Sequence, residues 1–373
     1  MRIALVAEDY YPQMGGVPEH THHLARQLRV WGHTADIFTS RMNGAHGDPP
    51  FVHRVGTSRV IRANGGVSRI TTGWGLRRKL ADRFREGRYD LVHIQNGLAP
   101  TFGVVGPLAA RQVGIPVVAT FHSWFPRSAG YRIFRRGFQW LLDRHAATIA
   151  VSEPVVWAMS RYLKANWEVI PNGVDTAFFQ PIGRHPEDLA TRAPRLLFLA
   201  RLERRNDLET VLDAMPRVLE RYPGTQLTVA GDGPQRRSYE RRARSLSSSV
   251  RFVGEIHGER PHYYASADLY LCPTTRASFG VTLLESMACG TPMIVSDIVG
   301  FRELVNGGAE AVLVPGENPK AWAETTIALL ADPDRRRLMG EAGRHKAQQF
   351  DWSLVGQRIV EVYERVLRQR ARG

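Results

Sequence analysis

The sequence predicts an α/β protein built from two doubly wound units that face each other across a cleft. Three observations lead there. Short apolar runs alternate with longer polar–apolar stretches, as expected when helices cover both faces of a parallel sheet. The alternation stops in the polar segment 180–194, which carries three prolines, and then restarts with the same grammar. The length of 373 residues suits two or three domains of roughly 100–200 residues, and 43% hydrophobic residues can fill two cores.

Taken in order, the first half offers strands at 2–7, 34–39, 91–95, 117–122, 148–151 and 168–170. Several are apolar throughout, the mark of strands buried on both faces. Helical patterns lie between them at 19–30, 76–85 and 154–163. The second half repeats the scheme with strands at 196–200, 226–230, 251–253, 269–272, 293–296 and 311–314. Its helices fit at 208–221, 234–246, 281–288, 319–330 and 335–349. A last helix from 353 to about 370 follows the loop Phe350-Asp351-Trp352 and is expected to pack back on the first unit. The expected domains are therefore 1–171 with 353–373, and 172–352. Open parallel sheets bind ligands beyond the carboxyl ends of their strands. A cleft between hinged lobes can exclude water, which suits group transfer from a reactive donor.

Composition narrows the partners. The longest apolar stretch, 98–110, is broken by Pro100 and Pro107 and ends at Arg111, so no transmembrane helix is expected. The opening MRIALVAEDYYP reads as a buried strand rather than a signal peptide. Two cysteines, Cys272 and Cys289, make no disulfide framework, and a cytoplasmic protein fits. The formal charge of +14 is uneven: residues 1–180 hold 22 Lys/Arg against 12 Asp/Glu. That half should be drawn to something anionic: a membrane surface, a phosphorylated substrate or nucleic acid. No recognition motif accompanies the basic residues, so no nucleic acid is expected. A monomer or weak dimer is expected.

Several residues can carry chemistry. Gly15-Gly16 lies between a strand and a helix, where bare backbone can approach a phosphate; a simple turn explains the pair equally well. His122 ends the strand PVVATFH and points beyond the sheet, where it can hydrogen-bond a substrate. Arg201 ends LLFLAR, and Arg204 and Arg205 follow; a guanidinium is a permanent cation suited to phosphate oxygens, with a surface ion pair as the plain alternative. In SFGVTLLESMACG (278–290), Ser278 and Gly280 can open a helix and expose amides to an anion. Glu285 interrupts that apolar helix and needs a partner, either a ribose diol or backbone donors that cap it. Asp332-Pro333-Asp334 spells Asp-x-Asp, but helix capping explains it better than metal, and no metal site is expected. The stretch 132–140 is basic and aromatic. Arg132, Arg135, Arg136 and Trp140 fit an interfacial membrane helix or a core helix with a basic rim. No Walker loop, zinc spacing or Gly-x-Ser-x-Gly elbow occurs.

With these residues together, the chain resembles a retaining glycosyltransferase of family 4 with the two-lobed, Rossmann-like GT-B fold. The resemblance covers nearly the whole chain. It is carried by Gly15-Gly16-Val17, VATFH (118–122), IPNGVD (170–175), AGDGP (230–234) and 278–290 with Thr291-Pro292. Including RANGGVSR (62–69), it is most similar to the bacterial phosphatidylinositol mannosyltransferases.

The resemblance implies an N-terminal acceptor-side domain and a C-terminal domain that holds a nucleotide-sugar. Gly15 and Gly16 would approach the diphosphate, and Arg201, with Arg205 nearby, would neutralise it. Ile256 would lie near the base. Ser278, Phe279 and the amides of Gly280, Val281 and Thr282 would face the sugar-phosphate, and Glu285 would hold the ribose. His122 would sit near the sugar and the attacking hydroxyl. The family reaction keeps anomeric configuration by same-face attack with no protein nucleophile. The implied activity moves mannose or glucose from a GDP- or UDP-hexose, with no further cofactor, to a lipid or glycan acceptor at the anionic inner face of the membrane. Two positions depart from the family pattern. Ala277 stands where a Glu contacts the sugar, and Asp207 stands where a Lys meets the phosphate. They raise a second reading, a non-catalytic or altered-donor relative that keeps the fold to bind a nucleotide or glycan.

Overall fold

The structure, a computed structural model, describes residues 1–13, 15–42, 47–63, 66–98, 101–181, 193–305 and 308–372, with the side chains of 61–68 outside that description. The chain forms two compact units, Met1–Gly173 with Trp352–Gly373, and Val174–Asp351.

Up to residue 173 the elements run β1 (Arg2–Val6), α1 (Gly16–Val30), β2 (Thr34–Arg41), β3 (Val52–Ala63), β4 (Gly66–Thr72), α2 (Leu76–Glu86), β5 (Leu91–Ile94), α3 (Phe102–Gln112), β6 (Val117–Phe121), α4 (Ala129–Ile133), α5 (Arg135–Leu142), β7 (Ala147–Ala150), α6 (Glu153–Ser160) and β8 (Trp167–Val169). The strands make one sheet in the order β4-β3-β2-β1-β5-β6-β7-β8. Every neighbouring pair is parallel except the antiparallel β3–β4. Ile3 through Ala7 are fully buried, because helices cover both faces of the central strand. Strand order reverses between β1 and β5, the place beyond whose carboxyl ends open α/β sheets bind ligands.

The second unit runs β9 (Arg195–Leu199), α7 (Leu208–Arg221), β10 (Gln226–Ala230), α8 (Arg236–Arg242), β11 (Val250–Gly254), α9 (Arg260–Ser266), β12 (Leu269–Cys272), α10 (Val281–Ala288), β13 (Met293–Ser296), α11 (Val299–Arg302), β14 (Ala311–Val314), α12 (Pro319–Ala331) and α13 (Pro333–Gln348). Its sheet is parallel throughout, in the order β11-β10-β9-β12-β13-β14, and reverses between β9 and β12. Leu208, Val211, Leu212, Met215 and Val218 repeat at helical spacing on α7 and join Phe198, Val229, Leu271 and Trp322 in one core.

The last helix, α14 (Trp352–Arg372), returns to the first unit. Val355, Ile359, Val362 and Val366 form its buried stripe in the same core as Leu24 and Leu28 of α1. Each fully buried side chain of this size contributes about 1.5–3 kcal/mol of gross burial energy. The unit boundaries fall at 173/174 and 351/352 rather than 171/172 and 352/353. Asn172 and Gly173 pack onto His20 and Trp352, which keeps them with the first unit.

Three differences from the sequence reading have physical causes. The β3–β4 hairpin departs from the expected strands, because RVIRANGGVSRITT carries three arginines and two glycines and lacks a continuous apolar run. The Asn64-Gly65 pair between its two strands is the signal that marks such a hairpin; those two residues lie outside the described ones. Helix α3 departs from the expected elements, because Pro100 and Pro107 interrupt its apolar pattern, yet Pro107 is carried inside it. The stretch 132–140 is not one helix. Ser128 caps the short α4, accepting from the Tyr131 amide at 3.3 Å, and the chain leaves helical geometry at Phe134 before α5 begins. Asp332 caps α13, accepting from the Arg335 amide at 2.9 Å.

Candidate functional site

In the first unit, Gly15 precedes α1, and its carbonyl accepts the first helical bond from the Glu19 amide at 3.1 Å. A Cβ on Gly15 would meet only Pro18 Cδ, at 3.7 Å, so internal packing does not require glycine there. Beside this loop lies a carboxylate that the sequence reading missed. Glu8 is buried, accepts from Thr71 Oγ1 at 2.5 Å and from the Phe102 amide at 2.9 Å, and ties β4 and α3 to the loop after β1. Burial pushes its carboxyl above the usual range.

His122 follows β6 at the carboxyl end and is half-buried. Its Nε2 lies 3.3 Å from Gln95 Oε1, and its ring meets His20 edge-on with centroids 4.7 Å apart. His20, on α1, hydrogen-bonds Asn172 Oδ1 through Nδ1 at 2.9 Å and lies edge-on to Trp352 at 5.0 Å. Behind Gln95, the fully buried His93 contacts Thr120 and Tyr363. Burial drives His122 and His93 well below the ordinary imidazole range, and His20 down to about 4. Nearby His20 pushes both others the same way, and Asn172 opposes the shift at His122 and His20 without reversing it. The cluster is neutral at pH 7. Sequence reasoning found His122 alone. The signal for its partners was polar residues, His93 and Gln95, inside an apolar strand.

In the second unit the loop after β9 carries the cations. Glu203, nearly buried, pairs with Arg201 at 3.1 Å and with Arg205 at 3.0 Å. Asn206 Nδ2 donates to Arg201 O at 2.7 Å. The loop after β12 is sewn to the same turn, for the Thr275 amide donates to Arg205 O at 2.7 Å and Thr274 Oγ1 to Asn206 Oδ1 at 3.2 Å. Gly231 lets the AGDGP turn close on this loop, since a Cβ there would stand 2.0 Å from Ala200 O. Asp207 adopts a left-handed φ of 46° ahead of α7 and accepts from Thr210 Oγ1 at 2.6 Å. Its carboxylate is therefore occupied at the start of its own helix. Burial raises its pKa, Thr210 opposes, and Glu317 and Glu209 add to the rise.

The segment 278–290 opens α10 at Gly280, whose φ of 102° favours glycine. Leu283 is the first residue of the turn whose amide finds a backbone acceptor, Gly280 O at 3.0 Å. The amides of Val281 and Thr282 have none among the described residues, as a helix start dictates. Phe279 is buried, with its ring 6.1 Å from that of Phe350. Ala277 is fixed by Gly300, where a Cβ would come within 2.0 Å of Ala277 O. Ser278 and Ile256 are half-buried. Glu285 is 2% exposed, paired with Arg260 at 2.6 Å, and accepts from Tyr264 at 3.0 Å. Two side chains, Arg260 and Tyr264, thus serve it, where backbone donors were the expected protein partners.

Arg132, Arg135, Arg136 and Trp140 are exposed, together with Ile133, Phe134 and Trp157. Arg144 lies 4.0 Å from the Trp140 ring centroid. Among the described residues no helix is long and apolar enough to cross a membrane, and no group of three His, Cys, Asp or Glu is placed to hold a metal.

Comparison with known proteins bears on family and fold. Residues 14–178 match the family described as Glycosyltransferase Family 4, and residues 193–332 match Glycosyl transferases group 1. The chain is 31% identical to a phosphatidyl-myo-inositol mannosyltransferase of Mycobacterium tuberculosis, over 98% of this chain and 97% of that one. It is 29% identical to a glycogen synthase of the same organism, over 97% and 94%. Among solved structures, Anabaena HepE in complex with UDP shares the fold with a TM-score of 0.78 at 20% identity, covering 98% of this chain and 100% of that one.

Proposed function

The chain belongs to glycosyltransferase family 4, and from that premise we propose which group it moves and where. It is a hexosyltransferase of GT-B fold that takes its sugar from a nucleotide-sugar. The proposed reaction transfers mannose, or alternatively glucose, from a GDP- or UDP-hexose to a lipid or lipid-linked acceptor with retention of anomeric configuration. Similarity to phosphatidyl-myo-inositol mannosyltransferase supports mannose and a lipid acceptor. The proposed setting is the cytoplasmic face of an anionic membrane.

The observation that carries the reading is the Glu203 brace. One nearly buried carboxylate holds Arg201 and Arg205 in a loop bonded to the strand-end loop that leads into α10. Such a loop pair presents fixed positive charge next to unpaired amides, the requirement for stabilising a departing diphosphate. In the proposed roles Arg201 and Arg205 neutralise the diphosphate. The amides of Gly280, Val281 and Thr282, with Ser278 and Phe279, face the sugar-phosphate. Glu285, steadied by Arg260 and Tyr264, receives the ribose, and Ile256 borders the base. Gly15 and Gly16 approach the diphosphate through main chain, and His122 meets the sugar or the attacking hydroxyl. No side chain need bond covalently to the sugar; placement and charge stabilisation supply the rate. Asp207 is engaged by Thr210, which favours this reading over a disabled donor site.

A thermal-shift screen with GDP, UDP and their hexoses, followed by transfer of labelled sugar into phosphatidylinositol-containing anionic vesicles, tests the proposal. A ligand at 100 times its Kd should add about 2.7 kcal/mol of stability. Absence of both stabilisation and turnover with every donor rejects it. The exposed Ile133, Phe134 and Trp140 among Arg132, Arg135 and Arg136 support the membrane setting. Replacing Arg135, Arg136 and Trp140 by Ser should reduce co-sedimentation with anionic vesicles, and unchanged co-sedimentation removes that face from the proposal.

A further inference from the structure

We propose that Tyr363, on the C-terminal helix α14, acts through His93 and Gln95 to set which ring nitrogen of His122 carries the proton, and is therefore a positioning residue for sugar transfer. The inference rests on the reading that His122 meets the sugar or the attacking hydroxyl.

Four hydrogen bonds carry it. Tyr363 OH lies 2.6 Å from His93 Nδ1, and His93 Nε2 lies 2.7 Å from Thr120 Oγ1. Gln95 Nε2 lies 3.2 Å from His93 Nδ1, and Gln95 Oε1 lies 3.3 Å from His122 Nε2. Tyr363, His93, Gln95 and Thr120 are all 0% exposed, so water cannot stand in for a missing partner. The two short bonds are at His93 and the two long ones at Gln95. Order is therefore set at His93 and passed outward to the carboxamide.

A neutral imidazole has one donor and one acceptor nitrogen. Burial keeps His93 neutral. The line of bonds then has only two self-consistent polarities. In one, the phenol donates to His93 Nδ1, the Gln95 amide also donates there, and Gln95 Oε1 accepts from His122 Nε2–H. In the other His93 Nδ1–H donates to the phenol oxygen, the Gln95 carboxamide turns over so that its oxygen accepts from His93 Nδ1–H and its NH2 faces His122, and His122 Nε2 becomes the acceptor. Burial pushes the Tyr363 phenol well above its usual range, so it keeps its proton, and a phenol hydroxyl is intrinsically the better donor of the two hydroxyls. The 2.6 Å phenol–imidazole contact selects the first polarity. His122 then carries its proton on Nε2 and keeps the Nδ1 lone pair as an acceptor. In Tyr363→Phe the selecting donor is gone and the line is free to reverse.

Selective ¹⁵N-histidine labelling with two-bond proton–nitrogen correlation reads the tautomer, with the His122 signal assigned by its loss in His122→Gln. The wild type should show the proton on Nε2. Tyr363→Phe and Gln95→Leu should each mix the tautomers and lower kcat about tenfold with donor KM unchanged, since a wrong tautomer costs turnover rather than binding. The double variant should be no slower than Gln95→Leu, because both act on one line. A wild-type His122 protonated on Nδ1 overturns the proposal, and this measurement does not depend on any variant folding. So does a Tyr363→Phe protein with lowered melting temperature but unchanged kcat and spectrum, the outcome a merely structural tyrosine gives. If His122→Gln keeps full kcat, the role of His122 fails and the inference with it. If His122→Gln is slow while Tyr363→Phe and Gln95→Leu are normal, the relay alone fails.

Discussion

Both units place candidate residues at the carboxyl ends of strands at or next to the point where strand order reverses, yet they furnish those places with opposite chemistry. The loops after β9 and β12 use permanent charge, with Arg201 and Arg205 braced by Glu203. The ends of β5 and β6 use neutral polar groups, the Gln95 carboxamide and two imidazoles, His93 and His122, that burial keeps uncharged. A half-exposed guanidinium keeps its charge at any accessible pH, whereas an imidazole inside a protein loses its proton readily. One place is thus suited to holding a phosphate and the other to directing hydrogen bonds at a sugar without adding charge.

The contrast breaks most visibly at Arg201. If fixed charge beside the α10 amides stabilises the departing diphosphate, Arg201→Ala should lower kcat by about 10²–10³, the loss typical of removing one preorganised donor. Steady-state transfer kinetics measure it. A loss under threefold would mean that the cationic loop is a surface feature and that the contrast has no catalytic content.

Acid sharpens the comparison next. His20 has its pKa lowered to about 4 by burial, against about 6.5 in an unfolded chain. The folded state therefore prefers the neutral ring. Stability from this group is whole above pH 6.5 and is lost as pH falls from 6.5 towards 4. Between pH 7 and pH 5 the loss is roughly 2 kcal/mol by proton linkage. Urea unfolding at the two pH values should show a drop that shrinks by about that amount in His20→Gln. An unchanged drop would show that the first unit tolerates a charged His20, and the neutral cluster would no longer distinguish it.

Much of this organisation was readable from residues alone, and what escaped did so for physical reasons. Parallel strands such as IALV and LYLC announce themselves because both faces are covered. Arg201, His122 and the opening of α10 sit at strand or helix ends, which local pattern locates. The partners that orient them are distant in sequence: Tyr363 lies 270 residues from His93, and Asn172 lies 152 from His20. No local period encodes such a pairing; only the return of α14 to the first unit creates it. Glu203 and Arg260 were invisible for a related reason. A charged residue in a loop or at a helix start reads as solvated until a fold buries one member of the pair.

The smallest expected effect separates glycine kept for the fold from glycine kept for a ligand. Gly231 is needed internally, because a side chain would collide with Ala200 O at 2.0 Å. Gly15 has no such constraint: its Cβ would find only Pro18 Cδ at ordinary contact distance. Gly15→Ala should therefore fold as well as the wild type. The melting temperature should be unchanged or slightly raised, since alanine removes freedom from the unfolded chain, worth about 0.4–1 kcal/mol. If bare backbone at 15 is there to approach a diphosphate, the same variant should raise donor KM several-fold, about 1 kcal/mol in binding. A variant with wild-type KM would assign Gly15 to the turn alone, and phosphate contact would then belong to the cationic unit without help from the neutral one.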